Sequence, residues 1–534
     1  MRIPDKCDIL FVPVLGFLGS GHLHFAALSM IGYIHKYSDF KADILDLKSK
    51  YFGHSFSQKE IDMFFDDIVN GIRDVRPKFV GFSSFTTDYN LVMRLSQYIK
   101  DRVSVAIVVG GVHSTLLSED FIYKDSPIDI AVIGEGEATV LDILRLEVGG
   151  KAHRGIDGIS FYDYEENEYI KTNQRSYIDD LDSIPRLAYE YLDMELYLRP
   201  RLGLIRWVPT SRGVGLYTGR GCPYVCTFCA ANTIWEGDVS GSGKRLARYR
   251  SMDSVFEEIE YLKNNYDLRT LYIMDDSFAL QKKRVLEFAD RISEMNVLWA
   301  AETRCGLIND EIVQAMQRSG CIQLDFGVES GSQRMLDAMR KAQKVKDVEK
   351  AFDICHKQGM RTFANILINI PGETEVDIDM TDKVIKKIHP DELSVAVLTP
   401  YPGSPIFVEH VKKLEKDEYE LLAFRDDPAA RFRFSHHKLS FQEIQLRLFS
   451  DNIRLLPTAF RILANTNYLK YLRSSPDKYK LVKLIIKFGG PMTFRLIVHL
   501  VMPSFLKIRI RRILSARRLA TKIKMKGSVE KGKA

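Results

Sequence analysis

Residues 213–229 read GVGLYTGRGCPYVCTFC, an apolar run with the character of a β-strand that leads into a loop with three cysteines. Five further apolar runs follow, at residues 270–276, 298–304, 322–330, 364–370 and 393–400. Segments with helical periodicity separate them, for example 254–265 and 284–295. This alternation predicts a partial, TIM-like (βα)6 barrel, whose functional side chains lie at the carboxyl ends of the strands.

The loop after the first of these strands has a Cys-x3-Cys-x2-Cys spacing. Three thiolates in one tight loop can bind three corners of a cubane [4Fe-4S] cluster and leave the fourth iron open to another ligand. A structural zinc site would need a fourth Cys or His, and the next histidine along the chain is His356. The sequence therefore predicts an iron–sulfur site on Cys222, Cys226 and Cys229.

The N-terminal part of the chain also alternates strand-like and helical segments. Short runs rich in Val, Ile and Phe occupy residues 8–15, 42–47, 79–84, 105–111 and 128–134. This rhythm predicts a doubly wound, flavodoxin-like parallel sheet that binds ligands at the carboxyl ends of its strands. Two glycine turns, which let the backbone approach a large ligand closely, follow strands there: Val109-Gly110-Gly111-Val112-His113-Ser114-Thr115 and Ile133-Gly134-Glu135-Gly136-Glu137.

The composition is that of a folded protein with several domains. Of 534 residues, 46% are hydrophobic and 27% are charged, which argues against wholesale disorder and against a polytopic membrane protein. Seven unevenly spaced cysteines do not suit a disulfide framework and favour metal chemistry in the reducing cytosol. We predict a first domain over residues 1–148, a linker over 149–208, the barrel over 209–410 and a helical C-terminal extension with a basic tail over 411–534.

Positive charge is concentrated at the C-terminal end. Residues 451–534 carry 20 Lys and Arg against three acids, a local charge of +17 that leaves the first 450 residues at −11. Neither an acidic body nor a tail with few aromatic side chains for base stacking favours a nucleic-acid partner. Residues 481–488 and 494–514 mix apolar runs with Lys and Arg, and the longest uncharged stretch, 496–506, is too short to span a bilayer. Two interpretations stay open, an amphipathic segment on an anionic membrane surface and a cap packed on the barrel.

The cysteine spacing directly after the first barrel strand resembles that of the radical S-adenosylmethionine superfamily. In that family the open iron chelates the amino and carboxylate groups of S-adenosylmethionine, and the reduced cluster cleaves this molecule to a 5′-deoxyadenosyl radical. The resemblance implies that Phe228 packs near the adenine, and that residues after the next four strands contact S-adenosylmethionine: Asp275, Asp276, Glu302, Arg304, Glu329, Ser330 and Gly372. The chain departs from the family pattern at Asn369, where glycine is common, and at Asp275-Asp276, where a Gly-Gly-Glu form is absent.

The glycine turns resemble the cobalamin-binding domain of B12-dependent radical S-adenosylmethionine enzymes, and the junction at residues 180–185 resembles theirs as well. The match spans residues 5–410 and implies a cobalamin site on Ser83, Gly110, Gly111, His113, Thr115, Gly134, Glu135 and Gly136. The Asp-x-His-x-x-Gly element that places a histidine on cobalt is absent. We therefore expect cobalamin without a protein nitrogen on cobalt or, alternatively, a domain that has lost the cofactor. His113 is expected to hydrogen-bond within its turn.

The resemblance implies methyl transfer to an unactivated carbon of a small-molecule or lipid-like substrate, with an electron donor of the flavodoxin or ferredoxin type. Two alternatives stay open: a radical cyclase or ring-rearrangement enzyme of tetrapyrrole or natural-product type, and a non-catalytic cobalamin or redox sensor. Methylthio transfer is disfavoured, because it uses a second cluster on three N-terminal cysteines, whereas only Cys7 precedes the loop. We expect a cytoplasmic protein, with peripheral membrane contact through its basic tail as one interpretation.

Overall fold

The computed structural model describes residues 4–14, 23–51, 58–146, 151–235, 247–423, 433–450 and 462–488. Within these residues the chain forms a seven-stranded sheet, a six-stranded sheet and two small two-stranded ribbons.

The seven-stranded sheet contains β1 (Ile9–Phe11), β2 (Ala42–Ile44), β3 (Phe79–Ser83), β4 (Ala106–Gly110), β5 (Ile130–Val132), β6 (Ile159–Asp163) and β7 (Glu168–Lys171). Its order is β2-β1-β3-β4-β5-β6-β7; the first five strands are parallel, and β6 and β7 add an antiparallel hairpin. The 2-1-3-4-5 order is that of flavodoxin-like folds, as predicted. The hairpin extends the sheet past residue 148 into the segment predicted as a linker, and the domain boundaries themselves stay a prediction.

Helices cover both faces of this sheet. They are α1 (Phe25–Tyr37), α2 (Lys48–Tyr51), α3 (Gln58–Val75), α4 (Tyr89–Lys100), α5 (Val112–Leu116), α6 (Ser118–Phe121) and α7 (Gly136–Arg145). Apolar residues at helical spacing turn one stripe of each long helix to the sheet. Leu28 and Ile31 of α1 pack on one face with β1 residues Ile9 and Phe11, whereas Val92 of α4 packs on the other.

The next strands form the two ribbons and the six-stranded sheet. One ribbon pairs β8 (Arg201–Ile205) with β9 (Val208–Thr210); the other pairs β11 (Gly219–Arg220) with β12 (Arg248–Tyr249). The sheet contains β10 (Gly213–Leu216), β13 (Thr270–Ile273), β14 (Leu298–Thr303), β15 (Cys321–Glu329), β16 (Arg361–Ile368) and β17 (Glu392–Val397), in that order and all parallel. All six predicted barrel strands are present, which confirms the partial (βα)6 architecture.

One short helix precedes the barrel strands, and the others follow them and continue into the C-terminal extension. They are α8 (Met194–Tyr197), α9 (Ala231–Ile234), α10 (Met252–Tyr266), α11 (Lys282–Ser293), α12 (Asp310–Arg318), α13 (Gln333–Ala338), α14 (Val345–Lys357), α15 (Glu375–Ile388), α16 (Phe441–Ser450) and α17 (Thr466–Ser474), with a further helical stretch at 478–488. The local sequence determines where some of these helices begin. The Ser251 and Asn309 side chains accept backbone N–H groups at the N-termini of α10 and α12.

The β8–β9 ribbon and the C-terminal helices close the amino end of the barrel. Leu204 of the ribbon shares a buried apolar cluster with Leu298 and Ile322, near the starts of their strands, and with Tyr468 and Leu481 of the extension. The described part of the extension thus packs on the barrel, while the basic residues 489–534 lie outside the described residues. Among the described helices, none is long and apolar enough to cross a membrane.

Candidate functional site

The cysteine loop is anchored at the carboxyl end of the barrel. The backbone N–H of Thr227 donates to the Met339 carbonyl at 2.9 Å, and the Ile406 N–H donates to the Thr227 carbonyl at 3.0 Å. Phe228 packs against the apolar cluster of Met335, Leu336 and Met339. The loop is thereby held against the segments that follow β15 and β17.

The three thiols of the cysteine loop differ in burial. Cys226 is buried, and Cys222 and Cys229 are half-buried. In the described part of the chain no three His, Cys, Asp or Glu side chains converge closely enough to hold one metal ion. A cubane takes each thiolate on a different iron, so its ligands stand farther apart. Burial raises the pKa of the Cys229 thiol to about 11, so this thiol needs a strong positive partner to ionise.

Arg304, after β14, contacts the cysteine loop directly. Its Nη1 donates to Sγ of Cys226 at 3.6 Å, and its guanidinium lies 3.5 Å from the centre of the Tyr224 ring. Its Nη2 is buried without a hydrogen-bond partner among the described residues. Such an orphaned donor beside three thiols fits a site built for a bound group.

The two acids after β13 lie in different environments. Asp275 is buried and accepts the N–H groups of Thr218 (2.6 Å) and Gly219 (3.2 Å), together with the Thr218 hydroxyl. Burial raises its pKa to about 6. Its carboxylate is thus used to hold the start of the cysteine loop. Asp276 is exposed to solvent.

Asp276, Glu302 and Tyr217 lie near one another at the carboxyl end of the barrel. Desolvation, followed by the charge of Glu302, raises the pKa of Asp276 although the residue reaches solvent. Burial, followed by Asp276, also raises the pKa of Tyr217 to about 12. These side chains are near enough to interact electrostatically and remain open to a ligand. Of the predicted acids at this edge, Asp276 and Glu302 are therefore better placed for a cofactor contact than Asp275.

The predicted residues after β15 and β16 mostly have protein partners. Glu329, with a positive φ of 64°, pairs with Lys341 at 2.8 Å, and both side chains are nearly buried. Ser330 lies 3.2 Å from the Thr381 hydroxyl of α15. Gly372 has a φ of 75°, which the turn after β16 requires. The Lys341 ammonium lies 5.7 Å from the Phe228 ring centre, so this edge also reaches the cysteine loop.

Asn369 departs from the family pattern for a structural reason. Its φ is 69°, a region where Asn is tolerated next best after Gly. Its Oδ1 accepts the N–H groups of Phe434 (2.9 Å) and Ser435 (3.3 Å) in the C-terminal extension. Glycine would satisfy the backbone but could not make these two bonds.

A cavity of about 130 Å³ opens at the carboxyl edge of the first sheet. It contains five of the residues predicted to bind cobalamin: Ser83, Gly110, Gly111, Gly134 and Gly136. Gly111 has a φ of 97°, and a Cβ there would lie 2.8 Å from the Ser84 carbonyl. Gly134 has a φ of 82° and open space around its missing Cβ. We call the surface formed by Ser83, Gly110, Gly111, Gly134 and Gly136 the glycine cradle. It depends on the absence of side chains at its glycines, as a large ligand requires.

A second cavity of about 330 Å³ adjoins the first one between the sheet and the barrel. Phe11, Met30 and Ser83 line both, and Tyr217 and Met274 contribute from the barrel side. The two cavities together connect the glycine cradle with the edge of the barrel that carries Asp276. A ligand held by the first sheet can therefore face one held by the barrel.

The structure places His113 and Thr115 behind the cradle. His113 is fully buried; its Nδ1 lies 3.2 Å from the Thr86 hydroxyl and its Nε2 lies 3.3 Å from Asp120. Thr115 donates to the Gly111 carbonyl (2.9 Å) and accepts the Gly134 N–H (3.1 Å), which ties the two glycine turns together. Neither residue lines the described cavities. His113 hydrogen-bonds beside its turn, in keeping with the expectation for it.

Glu135 and Glu137 reach the barrel. Glu135 accepts from Arg220 (2.6 Å) and Arg248 (2.9 Å), and Glu137 accepts from Arg220 (2.6 Å) and Ser29 (2.7 Å). The sequence interpretation gave Glu135 to cobalamin and did not single out either arginine. The sequence did contain one signal for Arg220, namely its position two residues before Cys222.

Inside the barrel lies a second group of residues that could not be identified from the sequence. Tyr272 donates to Glu302 and lies 2.8 Å from Asp325, whereas Arg206 of the β8–β9 turn contacts Glu302 at 3.2 Å and Asp325 at 3.3 Å. Arg206 also donates to Asn365 at 3.0 Å. The lumen of the barrel therefore presents charged and hydrogen-bonding groups below the cysteine loop.

Stability should depend on pH through Asp325. Burial raises the pKa of this carboxyl from 3.8 to about 6. Between those values the unfolded chain has released its proton and the folded chain still holds it, so rising pH lowers the free energy of unfolding, by about 3 kcal/mol in all. Above about pH 6 the penalty is constant. Urea titrations from pH 4 to 7 should give a shallower pH dependence for Asp325→Asn; an unchanged slope would contradict the assignment.

The fold and the site define a class. A flavodoxin-like domain with a glycine-lined cavity faces an incomplete βα barrel, whose carboxyl end carries a three-cysteine loop. Residues 216–385 match the Radical SAM superfamily, and residues 22–144 match the B12 binding domain.

Comparison with individual proteins agrees with this class. An uncharacterized methyltransferase of Pyrococcus horikoshii is 30% identical over 352 residues, which cover 65% of this chain and 72% of that protein. The anaerobic magnesium-protoporphyrin IX monomethyl ester cyclase of Rubrivivax gelatinosus is 26% identical over 373 residues, or 68% of this chain and 64% of the cyclase. The radical S-adenosylmethionine methyltransferase TsrM from Kitasatospora setae, solved with tryptophan and an S-adenosylmethionine analogue, superposes with a TM-score of 0.57 at 16% identity over 76% of each chain. The chain belongs to the radical SAM superfamily and is a radical SAM enzyme with a B12-binding domain.

Proposed function

We propose that this enzyme uses a [4Fe-4S] cluster, S-adenosylmethionine and cobalamin to methylate an unactivated carbon of a small molecule. The observation that carries the proposal is the pair of adjoining cavities, which joins the glycine cradle to the barrel edge with the cysteine loop. The methyltransferase of Pyrococcus horikoshii supports the reaction class. A TsrM structure with cobalamin and a [4Fe-4S] cluster bound supports the cofactor set.

When bound, the cluster and cobalamin would supply radical and methyl-transfer chemistry. In sum, R–H, two S-adenosylmethionine and two electrons would give R–CH3, S-adenosylhomocysteine, methionine and 5′-deoxyadenosine. The electrons come from an external donor of the flavodoxin or ferredoxin type. The residues of this chain would bind and orient these cofactors and shield them from water. Cys222, Cys226 and Cys229 would hold the cluster, and Arg304 would place a positive charge and a free N–H donor beside it.

The glycine cradle and the barrel lumen would bind different groups. Gly110, Gly111 and Gly134 would let cobalamin approach the backbone of the first sheet. Asp276 and Glu302 offer carboxylates to the cationic or hydroxyl groups of S-adenosylmethionine. The cavity between the sheet and the barrel is walled by apolar side chains such as Phe25 and Met274, while Arg206 and Glu302 lie in the lumen. We infer a substrate with an apolar body and at least one polar group.

Product analysis tests the reaction. The full chain is reconstituted anaerobically with iron, sulfide and hydroxocobalamin, then given dithionite and S-adenosylmethionine. We expect both S-adenosylhomocysteine and 5′-deoxyadenosine by mass spectrometry. 5′-Deoxyadenosine without S-adenosylhomocysteine would instead favour the radical cyclase alternative, which the Rubrivivax gelatinosus relative supports. Neither product, with cluster and cobalamin bound, would favour a sensor.

We also propose that this cytoplasmic enzyme makes peripheral contact with anionic membranes through the helical stretch 478–488. Its inner face is buried through Leu481 and Ile485. Its outer face carries an apolar stripe, with Tyr479 79%, Val482 40% and Ile486 62% exposed. Four exposed lysines at positions 478, 480, 483 and 487 flank that stripe, with no acid inside the stretch. Apolar residues ringed by lysines suit an anionic lipid surface.

Vesicle flotation tests the membrane contact. Wild type should float with phosphatidylcholine–phosphatidylglycerol vesicles and not with phosphatidylcholine alone. Tyr479→Ser/Ile486→Ser should bind about tenfold more weakly, because two apolar side chains no longer leave water. Tyr164→Ser/Val376→Ser is the matched control, since both of those residues are about equally exposed elsewhere (64% and 60%). Equal flotation of the two double variants would argue against this surface.

A further inference from the structure

We propose that Glu135, Glu137, Arg220 and Arg248 form a positioning clamp that fixes the cysteine loop relative to the glycine cradle. The inference rests on the proposed function, because it assigns a purpose to the junction between the two cofactor sites. The clamp residues act through the backbone segments that they hold and are positioning residues.

The four side chains form one continuous network of buried charge, which runs from Arg248 through Glu135 and Arg220 to Glu137. Arg220 binds Glu135 through Nη1 and Glu137 through Nη2, both at 2.6 Å. Arg248 binds the two oxygens of Glu135 at 2.9 and 3.2 Å and also donates to the Ile178 carbonyl at 2.6 Å. Both carboxylates and Arg248 are more than nine-tenths buried, and the Arg220 side chain is three-quarters buried. Two acids balance two arginines.

The arginines need these carboxylates. Arg220 and Arg248 are direct partners in the antiparallel β11–β12 ribbon. Side chains opposite each other in such a pair extend on the same face, and like charges there are destabilising. The two glutamates remove that repulsion. The ribbon thus reaches a favourable state only when the turn of the first sheet sits against it.

Both ends of the network are adjacent to cofactor sites. Glu135 lies between Gly134 and Gly136, which line the cavity of about 130 Å³. Arg220 lies two residues before Cys222. The guanidinium of Arg248 also stands 5.4 Å from the ring centre of Trp235, six residues after Cys229. The clamp therefore holds the cysteine loop on its upstream and downstream sides against the turn that forms the cradle.

A positioning role explains why charge is buried at this junction. A buried ion network adds little net stability compared with apolar packing, whereas its fixed geometry specifies one arrangement of the parts. Bidentate arginine contacts are directional and resist sliding. Methyl transfer between two separately bound groups depends on their separation, and displacement by about 1 Å can lower such a rate about 100-fold. The structure thus assigns the Gly-Glu-Gly-Glu turn two tasks: its glycines, together with Glu137, line the cavity, and its two glutamates form the clamp.

The test uses the full chain loaded with cluster and hydroxocobalamin and reduced with dithionite, without substrate, so that reduced cobalamin is the methyl acceptor. Arg220→Gln/Glu137→Gln removes both ion pairs of Arg220, with Glu135 and with Glu137, and Glu135 keeps Arg248 as its partner. Arg154→Gln/Asp163→Asn is the matched control, since that pair (2.7 Å) joins residues 151–155 to the end of β6 and includes no residue of the clamp. Pulsed EPR measures the separation of cob(II)alamin from the reduced cluster. Mass spectrometry measures S-adenosylhomocysteine formed from added S-adenosylmethionine.

We expect the clamp variant to retain both cofactors and show a broadened or shifted cobalt–cluster distance. S-adenosylhomocysteine formation should fall about 10- to 100-fold, while the control matches wild type. An unchanged distance with a lowered melting temperature would mean that the network merely joins the domains, and would overturn the clamp. If the clamp variant does not fold, Arg220→Lys serves the same test, because lysine keeps the charge but cannot bridge both carboxylates. A wild-type chain that binds no cobalamin would overturn the proposed function and the clamp with it.

Discussion

Replacing Cys226 by alanine should abolish formation of both S-adenosylhomocysteine and 5′-deoxyadenosine. Cys226 is the buried member of the cysteine loop and the one that Arg304 contacts. With two thiolates left, a cubane would have two irons without a protein ligand, and we expect the cluster to be lost or converted to a smaller form. Iron and sulfide content, with EPR of the reduced protein, measures the cluster itself, separately from turnover.

Cys7→Ala is the control for that experiment. Cys7 is a partly buried cysteine in the N-terminal segment before β1. We expect full iron content and unchanged products in this variant. A Cys226→Ala protein with a full cluster and normal turnover would refute the assignment of the cysteine loop.

The second large effect is expected from Gly110→Leu, which should weaken cobalamin binding at least about 100-fold, or by about 3 kcal/mol. Gly110 ends β4, lines the cavity of about 130 Å³ and has no strained φ. A Cβ there would meet only Val132, at 3.7 Å, so the added side chain extends into the cavity without moving the backbone. Gly111 would be a poorer probe, because its positive φ and contact with Ser84 would strain the fold itself.

Equilibrium titration with hydroxocobalamin measures this effect, and Gly155→Leu is the matched control. Gly155 is exposed, a Cβ there would meet nothing within 4 Å, and the residue does not line either described cavity. Iron content should stay at the wild-type level in both variants, because the cysteine loop is on the other sheet. Tight cobalamin binding by Gly110→Leu would place the cofactor elsewhere.

Most of the strand and helix pattern could be read from the sequence. Parallel strands buried on both faces are continuous apolar runs, and the runs at 270–276 and 298–304 became β13 and β14 with only their ends shortened. The cysteine loop and the glycine turns could be found because their function needs specific residue types at short spacing. Asn369 was recognised as a departure, and its positive φ explains why Asn is tolerated there.

Tertiary structure alone decided which predicted residues face a ligand. His113 and Gly111 are two positions apart in one motif, yet the glycine lines the cavity and the histidine is buried behind it. Asp275 and Asp276 are neighbours, yet one holds the backbone of the cysteine loop and the other reaches solvent. A local pattern identifies a turn but does not say which way each of its side chains extends once neighbouring segments pack.

The junction between the two cofactor sites could not be read from the chain at all. Glu135 and Arg220 are 85 positions apart, and no periodicity links them. The sequence by itself determined two sheets, a three-cysteine loop and a glycine cradle, because these depend on local residue type and spacing. Only the tertiary structure decided that the glutamates of the cradle pair with the arginines of the loop, because buried charges find their partners when distant surfaces come together.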